Sequence, residues 1–385
     1  MAYDKVVDSA SLDSKLTQVA DAIRTKGNTS ADLQFPSGFI SAIQAIQTGT
    51  ELQIIVSVDS GAVVTATKGS LSVSSTSVDG TCTLTVPEEG EWTVSATLDG
   101  ETSNSNIVNI TSSYDTSLAF MSTVLNDNSW ETIRGISDAG TGANYWSIGD
   151  RKAVTLNGTV GKLSLSNVTT YAFIIGFNHN ASVEGANRIH FQLAKTALSG
   201  GTDVCLCDNQ YGPESGWSSA GEGYFVMNAS NRNSGGWKSS QMRTNICGTS
   251  LSSYSGTIIA VIPAALRAVL KSVTKYTDNK GGRSMASSAV TATTDYFFLL
   301  SEFEVFGSIS YGNTNEKNKQ AQYAYYSAGN SKIKYKHNGT STAAYWWLRS
   351  PHAVGSLPFV NVRAEGTVNN SAAGYSLGFA PGFCV

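Results

Sequence analysis

Apolar residues recur along this chain with a helical period first, then with a period of two, then with no sustained period. Over residues 11–26, Leu12, Leu16, Val19 and Ile23 fall at i, i+4, i+7 and i+11, a single stripe on a helix. Ser11 is placed to cap that helix and Gly27 to stop it. In the following FPSGFISAIQAI, Pro36 suits a first helical turn, and Ile40, Ile43 and Ile46 continue an apolar face. Residues 1–49 are therefore predicted to form two short amphipathic helices. Two such helices bury little surface alone, so they are expected to pack on copies of themselves, on another component of a larger particle, or on their own chain.

From Glu51 the alternation becomes strict. ELQIIVSV, AVVTAT, LSVSST, CTLTVP, EWTVSATL and NIVNIT read as short strands with polar or glycine turns between them. Asp79-Gly80 is a strong hairpin turn and Glu89-Gly90 a looser one. About six strands in so short a segment predict a small immunoglobulin-like sandwich over 50–112, with Trp92 and Val94 facing the core and no catalytic residues. It reads as a spacer. From about Tyr114, glycine, asparagine and aromatics become dense. Trp130, Trp146, Trp217, Trp237, Trp346 and Trp347 all lie in this part. One helix is predicted over 263–275, and strands over 172–177, 256–262 and 295–301. The predicted fold class is mostly β with α+β character, in three modules: 1–49, 50–112 and 113–385. Long loops on a small scaffold are the arrangement expected where loops carry recognition.

Composition narrows the function. Only 14% of the 385 residues are charged, below the typical quarter, and the formal net charge is −3 with no long basic run. Nucleic-acid partners are therefore not expected. No window approaches about 18 uninterrupted apolar residues, so membrane insertion is not expected either. The start, MAYDKVVDSASLDSK, has no charged region followed by an apolar one, the pattern of a secretory leader. An extracellular texture without a leader fits a virion component, made in the host cytoplasm and released by lysis.

Five scattered cysteines, Cys82, Cys205, Cys207, Cys247 and Cys384, argue against a disulfide framework and read as buried thiols. His179, His190, His337 and His352 lack metal-ligand spacing, and neither a nucleophile elbow nor a phosphate loop occurs. No catalytic residue, metal or cofactor is expected. A glycosidase carboxylate pair can converge from anywhere in a sequence, but acidic residues are sparse in the aromatic-rich part.

The most specific strings are YWWLRSP (345–351), FVNVRAEGTV (359–368) and SLGFAPGFCV (376–385), preceded by GGWKSSQMR (235–243) and DYFFLLSEFEVFG (295–307). Together they resemble a family of phage and gut-bacterial proteins ending in W-W-L-R-S-P … F-x-x-V-x-x-x-G … G-V-R-P-A-F-C-I. The resemblance covers roughly residues 115–385. It implies a C-type-lectin-like fold of the formylglycine-generating-enzyme-like branch. Some members of the family are variable proteins of diversity-generating retroelements, whose last strands and loops are diversified to change ligand specificity. The opening helices are similar to a short repeat near the start of Firmicutes phage tail proteins. One departure stands out: the arginine of the family ending is replaced by Ala380.

Within that resemblance the residues divide by role. Trp346, Trp347 and Leu348 supply apolar area. Arg349 can bond main-chain carbonyls and a carboxylate together, with Glu302 or Glu304 as the partner. Trp237 and Arg243 read as core and ion-pair residues. The intervening positions are the expected variable, ligand-contacting set: His352, Ala353, Val354, Gly355, Ser356, Pro358, Asn361, Arg363, Glu365, Thr367, Asn369, Asn370, Ser371, Ala373 and Tyr375. Alternation along 360–365 is expected to turn Asn361, Arg363 and Glu365 outward, and 367–375, including Gly374, reads as exposed.

The expected function is a non-enzymatic phage or prophage receptor-binding protein. It would recognise a host-surface protein or glycan through its C-terminal surface and attach to other tail components through the N-terminal helices, with trimerisation common among such proteins. The alternatives are a bacterial surface adhesin or lectin, and a tail-associated cell-wall hydrolase.

Overall fold

The computed structural model describes residues 9–45, 51–118, 120–213 and 220–385. Ile46 and Trp217 lie outside them. The chain divides into two compact units, residues 1–119 and 120–385. Strands of several sheets dominate, with helices at the start and between strands, which makes the protein a mostly-β α+β chain.

The first unit opens with α1 (Ser9–Lys26) and α2 (Ser37–Ala45). Ala20, Ile23 and Phe39 are buried between them, with Leu16, Leu33 and Ala42 packed alongside. Ser11 lies inside α1 and does not cap it, because the helix already extends back to Ser9. Leu12, Val19, Ile40 and Ile43 stay exposed. Two sheets follow. One contains β1 (Gln53–Ser57), β4 (Thr81–Thr85) and β8 (Tyr114–Ser117). The other contains β2 (Val63–Lys68), β3 (Leu71–Thr76), β5 (Gly90–Leu98), β6 (Glu101–Thr102) and β7 (Asn106–Ile110). The predicted strands appear, most with their alternation intact: in β5, Trp92, Val94 and Ala96 are buried and their neighbours are not, whereas β3 is exposed along its length apart from half-buried Val73. Asp79 and Gly80 both take positive φ, +51° and +81°, the pair of values that a tight hairpin turn requires.

The second unit is built on a five-stranded sheet in the order β15-β21-β11-β10-β9, from β9 (Arg151–Val160), β10 (Leu163–Phe177), β11 (Ile189–Lys195), β15 (Phe297–Phe298) and β21 (Gly382–Cys384). The end of the sequence is thus inside the main sheet: Phe383 pairs with both Phe191 and Phe297. Phe383 stacks on Phe191 with centroids 5.3 Å apart, and Trp130 meets both rings edge-on. Trp130 starts α3 (Trp130–Asp138), whose first turn is capped by Ser129 accepting from the Thr132 amide at 3.0 Å. Ala380 is fully buried, and its carbonyl accepts from Gln192 Nε2 at 3.0 Å.

Smaller sheets surround this one. They are β12 (Val204–Cys205) with β16 (Lys334–Lys336) and β17 (Gly339–Ala344); β13 (Val273–Asp278) with β14 (Val290–Asp295); and β18 (Trp346–Pro351), β19 (Pro358–Val362) and β20 (Val368–Ala372), with β19 central. Short helices α4 (Ala181–Glu184), α5 (Ile258–Val261), α6 (Ala264–Val269), α7 (Glu302–Phe306) and α8 (Ala324–Ser327) lie between them.

Three predicted elements differ. Within 256–262, Ile258–Val261 form the turn of helix α5 and not a strand, since a short apolar run has no period that separates the two. The helix expected over 263–275 ends at Val269, because 273–278 are taken up in antiparallel pairing with 290–295. The stretch 295–301 is not one strand: Asp295 ends β14, paired with Val273, Phe297–Phe298 form β15, and the rest is irregular. All five cysteines are buried and unbridged, and the Sγ atoms of Cys205 and Cys207 lie 3.8 Å apart.

Candidate ligand-binding surface

All six residues of β18 are buried. The indole nitrogens of Trp346 and Trp347 donate to the carbonyls of Lys332 and Phe225, each at 2.9 Å, so two large rings are held without an unpaired donor. Arg349 uses its whole fork: Nε donates to Thr277 Oγ1 at 2.8 Å, Nη1 to the Leu299 carbonyl at 2.9 Å, and both terminal nitrogens to Glu304. Burial pushes Glu304 up, but Arg349 and Lys275 together outweigh it and hold the carboxylate below its ordinary range. Of the two expected partners, then, Glu304 is the one used. Glu302 accepts instead from the amides of Ser310, Tyr311 and Gly312, closing the loop after α7. Trp237 and Arg243 meet at Asp295, at 3.1 and 2.6 Å. Nothing in the sequence marked Asp295 as that hub beyond its place at the head of an apolar run.

These buried pairs carry a face made of loops distant in sequence. Asn233 is fully buried, and its Nδ2 donates to the carbonyls of His352, Gly355 and Pro358 at 3.2, 2.7 and 2.9 Å. Its main-chain amide donates to the Ser356 carbonyl, and its Oδ1 accepts from Gly282. Tyr311 accepts from the Ala353 amide, and Asn313 and Asn315 donate to the carbonyls of Ala286 and Met285. The segments around 233, 282, 312 and 355 are therefore knitted into one surface by main-chain groups and the side chains of Asn233, Asn313 and Asn315, none of them an exposed side chain. Val354 stands at its edge, 63% exposed.

The expected contact positions do not share one environment. Val354, Arg363, Glu365 and Thr367 are exposed, with Arg363 and Glu365 3.7 Å apart. Gly355, Ser356, Pro358, Asn369, Asn370 and Tyr375 are half-buried. His352 is also half-buried, but its Nδ1 accepts from the amides of Val354 and Gly355 at 3.1 and 2.8 Å, so it shapes the loop. Ala353, Asn361, Ser371 and Ala373 are buried, against the expectation of exposure. Asn361 fails it because β19 is the central strand with both faces covered: Phe359, Val360, Asn361 and Val362 are all buried, and Asn361 Nδ2 donates to Ser371 Oγ at 2.8 Å. Gly374 is buried too, its amide donating to Asn231 Oδ1.

Beneath this surface lies a polar cluster that sequence spacing did not reveal. His179, Glu184 and Glu304 place ligand-type atoms within 4.8 Å of one another. The residues present do not fit a metal ion. Lys275 Nζ already stands among them, 2.6 Å from Glu184, 3.0 Å from Glu304 and 2.8 Å from the Tyr323 hydroxyl, and Arg349 occupies both oxygens of Glu304. Two cations balance two carboxylates, which is how buried charge is tolerated. Burial lowers His179 to about 3 and raises Glu184 to about 7, the latter against the pull of Lys275. Cys384, 3.3 Å from His190 Nδ1, is pushed by burial to about 12 and is a thiol at neutral pH.

Residues 222–385 match a family model described as "Domain of unknown function (DUF6273)". No curated protein matches the chain. The matched stretch contains β13 to β21, the Arg349–Glu304 pair and every expected contact position.

Proposed function

We propose that this chain is a receptor-binding protein of a phage or prophage, which holds a host-surface ligand on the loop face of its second unit without chemical turnover. What supports this reading is the division of labour around β18. The buried groups bond to one another and to main-chain atoms, so exposed side chains such as Val354, Arg363 and Thr367 are free to change at little cost to the fold. In this reading the second unit is a C-type-lectin-like domain, the two-sheet segment an immunoglobulin-like spacer, and the helix pair the attachment to other tail components. Retroelement diversification would act on the outward positions. It would spare Asn361 and Ala373, which are buried.

The test is attachment. The purified chain, labelled and incubated with candidate host cells, is expected to bind some strains and not others. Deep sequencing of the gene from one environment is expected to concentrate diversity at exposed codons of 352–375. Release of soluble sugar or peptide from purified cell wall, lost on changing one carboxylate, would make the reading wrong.

A further inference from the structure

The loop face carries a charge pattern that its sequence neighbourhoods do not display. Arg232 and Lys238 lie on one loop, Lys280 and Arg283 on another, and all four are exposed. The two loops are bonded directly: the Gly235 amide donates to the Lys280 carbonyl at 2.8 Å, and the Lys238 amide to Asn279 Oδ1 at 2.9 Å. Gly282 donates to Asn233 Oδ1, and Asn233 binds the 352–358 loop, so the cations border the proposed contact surface. Among the described residues, none of these four side chains makes an ion pair. Segments 229–239, 279–289 and 352–358 contain no acidic residue. A chain of net charge −3 thus gathers four unpaired cations on one side of its loop face.

We propose that this patch binds an anionic glycopolymer, one bearing phosphodiester or carboxylate groups along a flexible chain. This rests on the receptor-binding reading and names the ligand class. Spaced single cations on adjoining loops suit repeated point anions. Single-stranded nucleic acid is disfavoured because it is gripped by exposed aromatic side chains on which bases stack; the one aromatic residue of segments 229–239 and 279–289 is Trp237, which is fully buried. Neutral sugars would leave the four charges without a counterpart.

The experiment uses the full chain against immobilised poly(glycerol phosphate), polygalacturonate, neutral dextran and single-stranded DNA, at 50 and 200 mM NaCl. Binding is expected to one or both anionic polymers and not to dextran. Affinity is expected to fall on the order of tenfold to a hundredfold between the two salts, as counterion release by about four cations requires. Which polymer wins tells phosphodiester from carboxylate. A variant with Arg232→Ser, Lys280→Ser and Arg283→Asn is expected to lose that binding with its melting temperature kept; Asn suits the φ of +72° at position 283. A control changing the exposed Lys15, Lys26 and Lys162 to Ser is expected to keep it. The single reversal Lys280→Glu, a smaller change, is expected to weaken binding several-fold. Equal loss in the control and the patch variant, retention by dextran, tighter binding to DNA, or no anionic polymer bound would each overturn the proposal. Cell attachment separates the two ideas. A chain that binds cells but no polymer keeps the receptor reading and loses this one, and a chain that binds polymer but no cell does the reverse.

Discussion

The side-chain amide of Asn233 donates to the main-chain carbonyl of His352 at 3.2 Å from 119 residues away in sequence, and the same nitrogen also serves Gly355 and Pro358. One buried group thus fixes the start, middle and end of the 352–358 loop. Asn233→Ala is expected to cost about 1–3 kcal/mol, since buried acceptors lose their donor. Hydrogen exchange checks it: the amides of Val354 and Gly355, now held by His352 Nδ1, are expected to lose protection while those of β11 keep theirs.

Arg349→Met removes the fork from Glu304 and leaves a fully buried carboxylate with Lys275 as its remaining cation. Breaking a buried pair from one side costs about 3–5 kcal/mol, so the denaturation midpoint is expected to drop sharply. Arg349→Lys keeps the charge but cannot reach Thr277, Leu299 and Glu304 together, and is expected to recover only part of the loss.

Two buried groups make stability depend on pH in opposed ways. His179, ordinarily near 6.5, falls to about 3 because burial disfavours its charged form, so its contribution is whole above pH 6.5 and is lost as pH falls towards 3. Glu316 is fully buried and accepts from the Asp278 amide at 2.9 Å and the Ser350 hydroxyl at 2.6 Å; burial raises it from 4.5 to about 7, so its contribution is whole below pH 4.5 and is lost as pH rises through 7. In melting curves from pH 4 to 8, His179→Phe, which can keep the ring stacked on Tyr323, is expected to flatten the acid side. Glu316→Gln is expected to flatten the decline between 4.5 and 7.

Local pattern was enough for part of this architecture. Strands β1, β2, β4, β5 and β7 were legible because each has one buried face, and a single buried face imprints its period on the residues; the α1 stripe was legible too, although of its four residues only Ile23 is buried. The Trp-Trp-Leu-Arg string located the framework for the same kind of reason: large rings and one fork have few places to go. Asn361 was misread because alternation presumes an open face, and β19 has none. The hub at Lys275 was not legible, since it joins Glu184, 91 residues away, to Glu304, and no spacing rule links such positions. The same holds for the loop cations, which are separated in sequence and adjacent only after folding.

The central claim is that the exposed positions of this face specify the ligand and the buried ones specify the fold. Changing Val354, Arg363, Glu365 and Thr367 together, all exposed, and measuring melting temperature and host-cell attachment on the same sample, tests it most directly. The account predicts a melting temperature within a few degrees of the parent, since exposed substitutions cost within about 0.5 kcal/mol each, together with altered or lost attachment. A collapsed melting temperature, or the parent's attachment to the same strains unchanged, would contradict it.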